Sequence, residues 1–382
     1  MGSTPEPLNA LQLLSGDAQT FLDSVWASHV HEHRTDPARL TSLLSLDDVD
    51  HLMTSVALRT PALRVVEGGT VLPPARFTRG GSIAGTPLTG LVDPRKVMDL
   101  YAAGATLVLQ GLHRYWPPLT ELVRALELEL GHPCQANAYL TPPDSQGFAR
   151  HEDTHDVFVF QTHGRKVWTL VEEGQERDLE LVPGLSVYLP TGTPHSARSE
   201  AEPSLHVTIG INRVRWRDLL RTVAETALAD SRYDAPLPAG FLTDPARLSG
   251  PMADELATFA KSLGELDPAS MTDGATTRFL SERTSVLRGA LTDLVALPAL
   301  DDSTVLERRA TAACELREDG DRLRVLLGDR ELRMPLGAAG AMAHVRDHSR
   351  FTLRDLAPWL DEQSRVVLAR RLVREGLLRI RP

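Results

Sequence analysis

Two histidines and three carboxylates fall within six consecutive positions, His151-Glu152-Asp153-Thr154-His155-Asp156. The stretch that begins at Asp156, "DVFVFQ", is built of strand-forming residues, and the segment before it reads as extended too. In an extended segment the side chains at i and i+2 share a face. His151 and Asp153 then converge on one point, offering an imidazole nitrogen and a carboxylate oxygen, while Glu152 turns away. A metal needs a third ligand, and His195 in "YLPTGTPH" suits: a strand, a Pro- and Gly-bearing turn, then an imidazole at the end of a strand. Two histidines and one carboxylate on one side of an ion leave its opposite positions open, the pattern of non-haem Fe(II) oxygenases. A structural zinc site closes its shell instead, usually with cysteine. Taken alone, His-x-Asp is as readily a turn cap; the downstream histidine is what makes the pattern a metal reading.

Other residues compete for roles. His206, in "SLHVTIG", is the rival third ligand, and a place in the pocket wall suits it better. His155 reads as a local hydrogen-bonding residue, His163 as a solvent-facing turn residue, and Glu152 as a solvated carboxylate near the mouth. Lys166 follows the His163-Gly164 turn and can reach back into a barrel, although position alone fits a solvated hairpin lysine equally well. Arg165 alternates to the other face. Asn137 and Tyr139 stand two apart on one strand, so both can face inward.

The elements that must position these side chains come in three stretches. Residues 8–60 carry apolar positions at helical spacing, and residues 67–90, rich in Gly, Pro and Thr, read as loop. "GATLVLQGL" predicts a short buried strand, and "PPLTELVRALELELG" a helix with proline at its start and Gly131 at its end. From 135 to 211 short β-branched or aromatic runs alternate with turns, the mark of a small antiparallel barrel or sandwich. After Trp216 the chain turns helical, with apolar stripes at Leu219, Leu220 and Val223 and at Leu256, Phe259 and Leu263. The end mixes a hairpin at "RLRVLLGDRELRMPL" with a helix from Asp361 to Gly376 and a short strand.

The bulk properties set limits. A chain of 382 residues predicts two or three domains. Its net charge of −10 disfavours a general nucleic-acid binder and suits a basic partner. Two cysteines far apart make no disulfide framework and point to a reducing cytoplasm. No apolar run approaches the ~18 residues of a membrane span.

The segment from "NAYLTPPDSQGFARHEDTHDVFVFQTHGRKVWTL" through "LVPGLSVYLPTGTPHSA" to "SLHVTIGI" resembles the JmjC-type cupin oxygenases, in particular the ribosomal oxygenase group. The resemblance implies an α+β chain. A double-stranded β-helix (JmjC/cupin) barrel with N-terminal helices would span 1–214, a helical dimerisation segment 215–300, and a winged-helix-like domain 301–382. It implies Fe(II) held by His151, Asp153 and His195, with 2-oxoglutarate and O2 as cosubstrates. Lys166 matches the basic residue that pairs with the far carboxylate of 2-oxoglutarate, and Asn137 and Tyr139 match positions lining that pocket. The implied activity is hydroxylation of an arginine or histidine side chain of a ribosomal protein, a basic partner; a homodimer and a cytoplasmic location go with it. The same fold also serves tailoring hydroxylases of peptides and small metabolites, and metal cupins that use no 2-oxoglutarate. A non-enzymatic winged-helix regulator is the remaining class. Six arginines between 365 and 381 would suit DNA, but the resemblance credits that module with no such role, and ion pairing or solvation is the plainer expectation.

Overall fold

The computed structural model describes residues 9–145 and 149–381. The chain forms two compact units, Met1–Arg213 and Val214–Pro382.

The first unit is a pair of antiparallel sheets with helices on one outer face. Among the described residues the larger sheet runs in the order His31–Arg34, Leu185–Leu189, Asp156–His163, Ser204–Ile211, Cys134–Thr141, Thr106–Leu109, Leu63–Glu67 and Thr70–Val71. The smaller is Gln175–Leu181, Lys166–Glu172 and His195–Arg198. Alternation along each strand decides what lies between them. Val157 and Val159 of the large sheet meet Trp168, Leu170 and Leu179 of the small one in an inner core. Phe158 and Phe160, on the opposite face, join Ala136, Ala138, Val207 and Ile209 against Leu119, Leu122 and Leu126 of the helix Pro117–Leu130. Burial on both faces is why "VFVF" (157–160) is an unbroken apolar run and not an alternating one.

Tight turns hold the register. Glu173 (φ 51°) and Gly174 (φ 80°) form the two-residue positive-φ turn that matches strand twist between Lys166–Glu172 and Gln175–Leu181. Gly164 (φ 61°) makes the turn that feeds Lys166 into the barrel, and a Cβ there would lie 1.9 Å from the Pro203 carbonyl oxygen.

Two expectations need correction. Within 67–90, the strands Thr78–Ile83 and Thr86–Val92 form a hairpin. It is largely exposed, held by backbone pairing around Ala84-Gly85, and so carries no apolar alternation to reveal it. Within 8–60, His31–Arg34 is an edge strand on Leu185–Leu189, four polar residues whose pairing is set by the barrel and not by local preference.

In the second unit, Trp216–Leu228, Ala246–Glu265 and Pro268–Phe279 are helices, and the middle one has no buried residue in this single chain. The rest is a mixed module. Val305–Arg308 pairs with Arg350–Thr352 and Leu378–Arg381, and a meander runs Glu315–Asp319, Arg322–Leu326, Glu331–Pro335. The helices Ala339–Asp347 and Glu362–Arg374 pack with these strands over Leu306, Val325, Met342 and Leu372. No helix among the described residues is long and apolar enough to cross a membrane.

Gly164→Ala is expected to destabilise the protein by more than about 2 kcal/mol, since it combines left-handed strain with a backbone clash. Gly174→Ala, with no atom within 4 Å of its Cβ, meets strain alone and should cost about 1 to 2 kcal/mol. Chemical denaturation of both variants checks the order; equal losses would contradict it.

Candidate metal centre and its pocket

His151 and His195 exchange backbone hydrogen bonds, N to O at 3.0 Å and 2.9 Å. This reciprocal bridge brings the segment before Asp156–His163 against the first residue of the strand His195–Arg198 and sets the two imidazoles 4.4 Å apart, centre to centre. Each ring is then pinned from behind. His151 Nδ1 lies 2.9 Å from the Ala149 carbonyl, and His195 Nδ1 lies 2.9 Å from the Thr193 carbonyl. A carbonyl accepts only, so each Nδ1 carries the proton and each Nε2 presents its lone pair. Asp153 faces both: its carboxylate oxygens lie 4.0 Å from His151 Nε2 and 3.8 Å from His195 Nε2. Those gaps are too long for hydrogen bonds and would admit one ion about 2 Å from each donor. All three ligand atoms lie within 4.8 Å of one another. Burial, the largest influence on His195, holds its pKa below the usual imidazole value, which favours the neutral, ligating form.

Asp156, the last carboxylate of the run, does different work. It is fully buried. It accepts hydrogen bonds from the Tyr188 hydroxyl at 2.6 Å and from the Thr191 N–H and hydroxyl at 2.8 and 2.6 Å, and it faces Arg213 at 3.3 Å. Tyr188 in turn accepts the Ala27 N–H. The Gly192 N–H donates to the Asp153 carbonyl. The turn that delivers His195 is therefore fastened to the segment that delivers His151 and Asp153.

A pocket extends from the three ligands into the barrel, walled by Val157, Val159, Tyr139, Trp168, Lys166 and His206 among others. Lys166 is 2 % exposed, and its Nζ donates to the Thr141 hydroxyl at 2.8 Å. It has no salt-bridge partner among the described residues. Desolvation alone lowers its pKa to about 7. Tyr139 and His206, cross-strand partners, stack with rings 4.8 Å apart and 3° from parallel. His206 is thus a wall residue and not a member of the three-ligand group. Asn137 shares the face of Tyr139, but its side-chain oxygen accepts the Gly111 N–H at 3.0 Å and it does not line the pocket. Glu152 and His163 are exposed, and Arg165 points outward to Glu180 and Glu202. His155 packs over Gly210, where a Cβ would meet its Nε2 at 2.7 Å.

Sequence reasoning missed Thr141, Trp168 and Asp156. The first two were within reach, since each stands two residues from a residue already singled out on the same strand. Asp156 carried no signal, because a strand-initial aspartate reads as a turn residue.

The donor set fits a divalent metal, and a buried lysine that faces a hydroxyl fits one carboxylate of a small diacid. Asp156→Ala should leave Arg213 uncompensated and free the Thr191 turn, costing about 3 to 5 kcal/mol and weakening Mn(II) binding at least tenfold, roughly as for other residues that orient metal ligands. Asp153→Ala should abolish Mn(II) binding while leaving stability close to wild type. Denaturation and metal titration of the two variants check this; unchanged metal affinity in Asp156→Ala would contradict it.

Comparison with known proteins agrees with this geometry. Residues 118–180 match the JmjC domain family. The chain is 30% identical over 218 residues to ribosomal oxygenase 1 of Rattus norvegicus, an alignment covering 51% of this chain and 35% of the relative. It is 33% identical over 161 residues to the bifunctional lysine-specific demethylase and histidyl-hydroxylase NO66 of Branchiostoma floridae, covering 40% of this chain and 26% of the relative. The match therefore spans about a third or less of these relatives' length. The fold is similar to that of YcfD, a ribosomal oxygenase from Escherichia coli whose complex with cobalt and 2-oxoglutarate has been solved, with a TM-score of 0.56 and 17% identity over 97% of this chain and 99% of the other. The matched segment holds the helix Pro117–Leu130 after its first residue and the strands Cys134–Thr141, Asp156–His163 and Lys166–Glu172, and the barrel of this chain is similar to the JmjC domains of ribosomal oxygenases.

Proposed function

We propose that the protein is an Fe(II)- and 2-oxoglutarate-dependent oxygenase that hydroxylates a side chain of a basic protein, with an arginine or histidine of a ribosomal protein as the favoured target. One observation carries the reading. A pocket that begins at two histidines and a carboxylate ends at a buried lysine whose hydrogen-bond partner is a hydroxyl. A cupin that used the metal without 2-oxoglutarate would gain nothing from burying that ammonium, which costs free energy until an anion meets it.

His151, Asp153 and His195 would hold the iron on one side, leaving the opposite positions to cosubstrates. Iron so held supplies, with 2-oxoglutarate and dioxygen, the oxidising power to hydroxylate an unactivated carbon. The chain's own residues orient and shield. The Ala149 and Thr193 carbonyls fix the imidazoles, Lys166 would meet the far carboxylate, and Val157, Val159 and Trp168 supply apolar lining to the pocket. The reaction needs no general base from the protein.

The names of the relatives favour a ribosomal substrate, and the charge of −10 suits attraction of cationic proteins. Both cysteines are free and buried, in keeping with a reducing cytoplasm. In the second unit the helical segment serves as a homodimer surface, since Trp216 (78% exposed), Leu220 (58%) and Leu256 (59%) form an apolar display beyond what a monomer ordinarily leaves to water. The C-terminal module is winged-helix-like and structural. Arg365 binds Asp302, and Arg379 and Arg381 both bind Glu307, so these arginines are committed to ion pairs within the module and not to DNA.

Incubation with Fe(II), 2-oxoglutarate and basic ribosomal proteins should add the mass of one oxygen atom to a single side chain. Asp153→Ala should abolish it, and Lys166→Ala should raise the KM for 2-oxoglutarate at least tenfold, about the worth of one lost charged contact. Oxidation of small peptides but of no ribosomal protein would move the assignment to a tailoring hydroxylase. Light scattering should give twice the monomer mass, and Leu220→Glu with Leu256→Glu should return it to one.

A further inference from the structure

His206 has no part in the three-ligand group, yet it occupies a costly position. It is 4 % exposed, and its Nδ1 is sealed from solvent with no hydrogen-bond partner among the described residues. A buried polar atom left unbonded costs about 1 to 3 kcal/mol, and an ordinary core histidine avoids that by turning toward a partner. This one cannot turn. Tyr139 lies flat against it at 4.8 Å, and Trp168 meets it edge-on at 5.5 Å. It lines the same pocket as Lys166, close enough for the ammonium to oppose charge on the imidazole. The pocket thus holds two basic groups side by side, and no carboxylate is paired with either among the described residues.

We propose that His206 is a further binding residue for the far carboxylate of the dicarboxylate cosubstrate, and that Lys166 and His206 together take up a proton from solvent as that carboxylate arrives. The inference rests on the 2-oxoglutarate reading above. Before binding, burial lowers the Lys166 pKa to about 7, and burial first, then Lys166, drives His206 well below the ordinary imidazole range. The other titratable or charged groups bearing on the pocket are His151, His195 and Asp153 of the candidate metal centre, Tyr139, whose hydroxyl burial keeps protonated, and Arg64, which acts on Tyr139 in the direction opposite to Asp153. None of these supplies an anion to Lys166. A carboxylate between Lys166 and His206 favours their charged forms, so binding draws in a proton that buffer must release. The sign follows: above pH 7 the free amine is largely neutral, so affinity falls as pH rises and uptake grows; below it Lys166 is already charged, and its uptake fades.

The test is calorimetric titration of 2-oxoglutarate into the full-length protein loaded with Mn(II), in buffers of different ionisation enthalpy. Uptake should approach one proton per site at pH 8 and be smaller at pH 6, and Kd should rise toward tenfold per pH unit above 7, as linkage requires of one proton, about 1.4 kcal/mol per unit. Lys166→Arg, charged at every pH, should bind with little uptake. His206→Phe keeps the stacking shape and removes the unbonded nitrogen. It should leave Tm unchanged or raise it while weakening 2-oxoglutarate roughly tenfold, the loss of one hydrogen bond to a charged group. A purely structural histidine would give the reverse, lower Tm and unchanged Kd. If the phenylalanine variant does not fold, His206→Asn, which retains a donor, should bind more weakly than wild type. A wild-type enthalpy independent of buffer, or a His206 variant with wild-type Kd, overturns the inference while leaving the 2-oxoglutarate reading standing. Absence of any 2-oxoglutarate binding to the Mn(II) protein overturns both.

Discussion

Two backbone hydrogen bonds between His151 and His195 join the segment ahead of one sheet to the opening residue of the other. Residues 44 positions apart in sequence become direct neighbours through them. Without this bridge the Ala149 and Thr193 carbonyls would still fix their own imidazoles, but the two lone pairs would not point at one place. The bridge is protected by the Asp156 cluster behind it, which collects Tyr188, Thr191 and Arg213 around one buried carboxylate. A buried charge is tolerable only when it is this fully satisfied. The stability of that cluster is therefore a condition for the geometry of the metal centre.

The same barrel contains polar groups that are satisfied and polar groups that are not. Gln161 donates its amide N–H groups to Ser204 and the His163 carbonyl while its Oε1 is buried with no partner among the described residues, and Thr106, on the pocket wall, donates to Thr141. Around the pocket itself the inventory is incomplete: Lys166 has a hydroxyl, His206 Nδ1 has nothing, and Trp168 Nε1 is a buried donor with no acceptor among the described residues. Incomplete hydrogen bonding in an otherwise closely packed interior marks where the sequence serves something other than its own stability.

Much of this was legible in the sequence because strands impose a period of two. The alternation that places His151 with Asp153 also places Lys166 with Trp168 and Tyr139 with Thr141, and the apolar runs marked the strands of the barrel itself. What escaped the sequence was non-local. The edge strand His31–Arg34 exists because Leu185–Leu189 offers it an edge, and the hairpin Thr78–Ile83 with Thr86–Val92 buries too little to leave a pattern. Asn137 shows the limit of the rule in the other direction. Sharing a face with Tyr139 placed it correctly on the strand, but the Gly111 N–H claims its oxygen, and spacing carries no information about a competitor 26 residues away.

The two ends of the pocket are electrostatic opposites, and that opposition explains why neither is neutralised from within. At the mouth, a carboxylate and two neutral imidazoles create a site that repays a cation. Elsewhere in the pocket, an ammonium with a depressed pKa and an imidazole whose Nδ1 has no partner among the described residues create a site that repays an anion. Lys166 and Asp153 could in principle have satisfied each other as a buried ion pair, a common solution in protein interiors. They do not: both line one pocket, with Val157, Val159 and Tyr139 among its other lining residues, and no ion pair joins them among the described residues. Held apart, each charge stays available, and a molecule that chelates a metal at one end and carries a carboxylate at the other satisfies both at once.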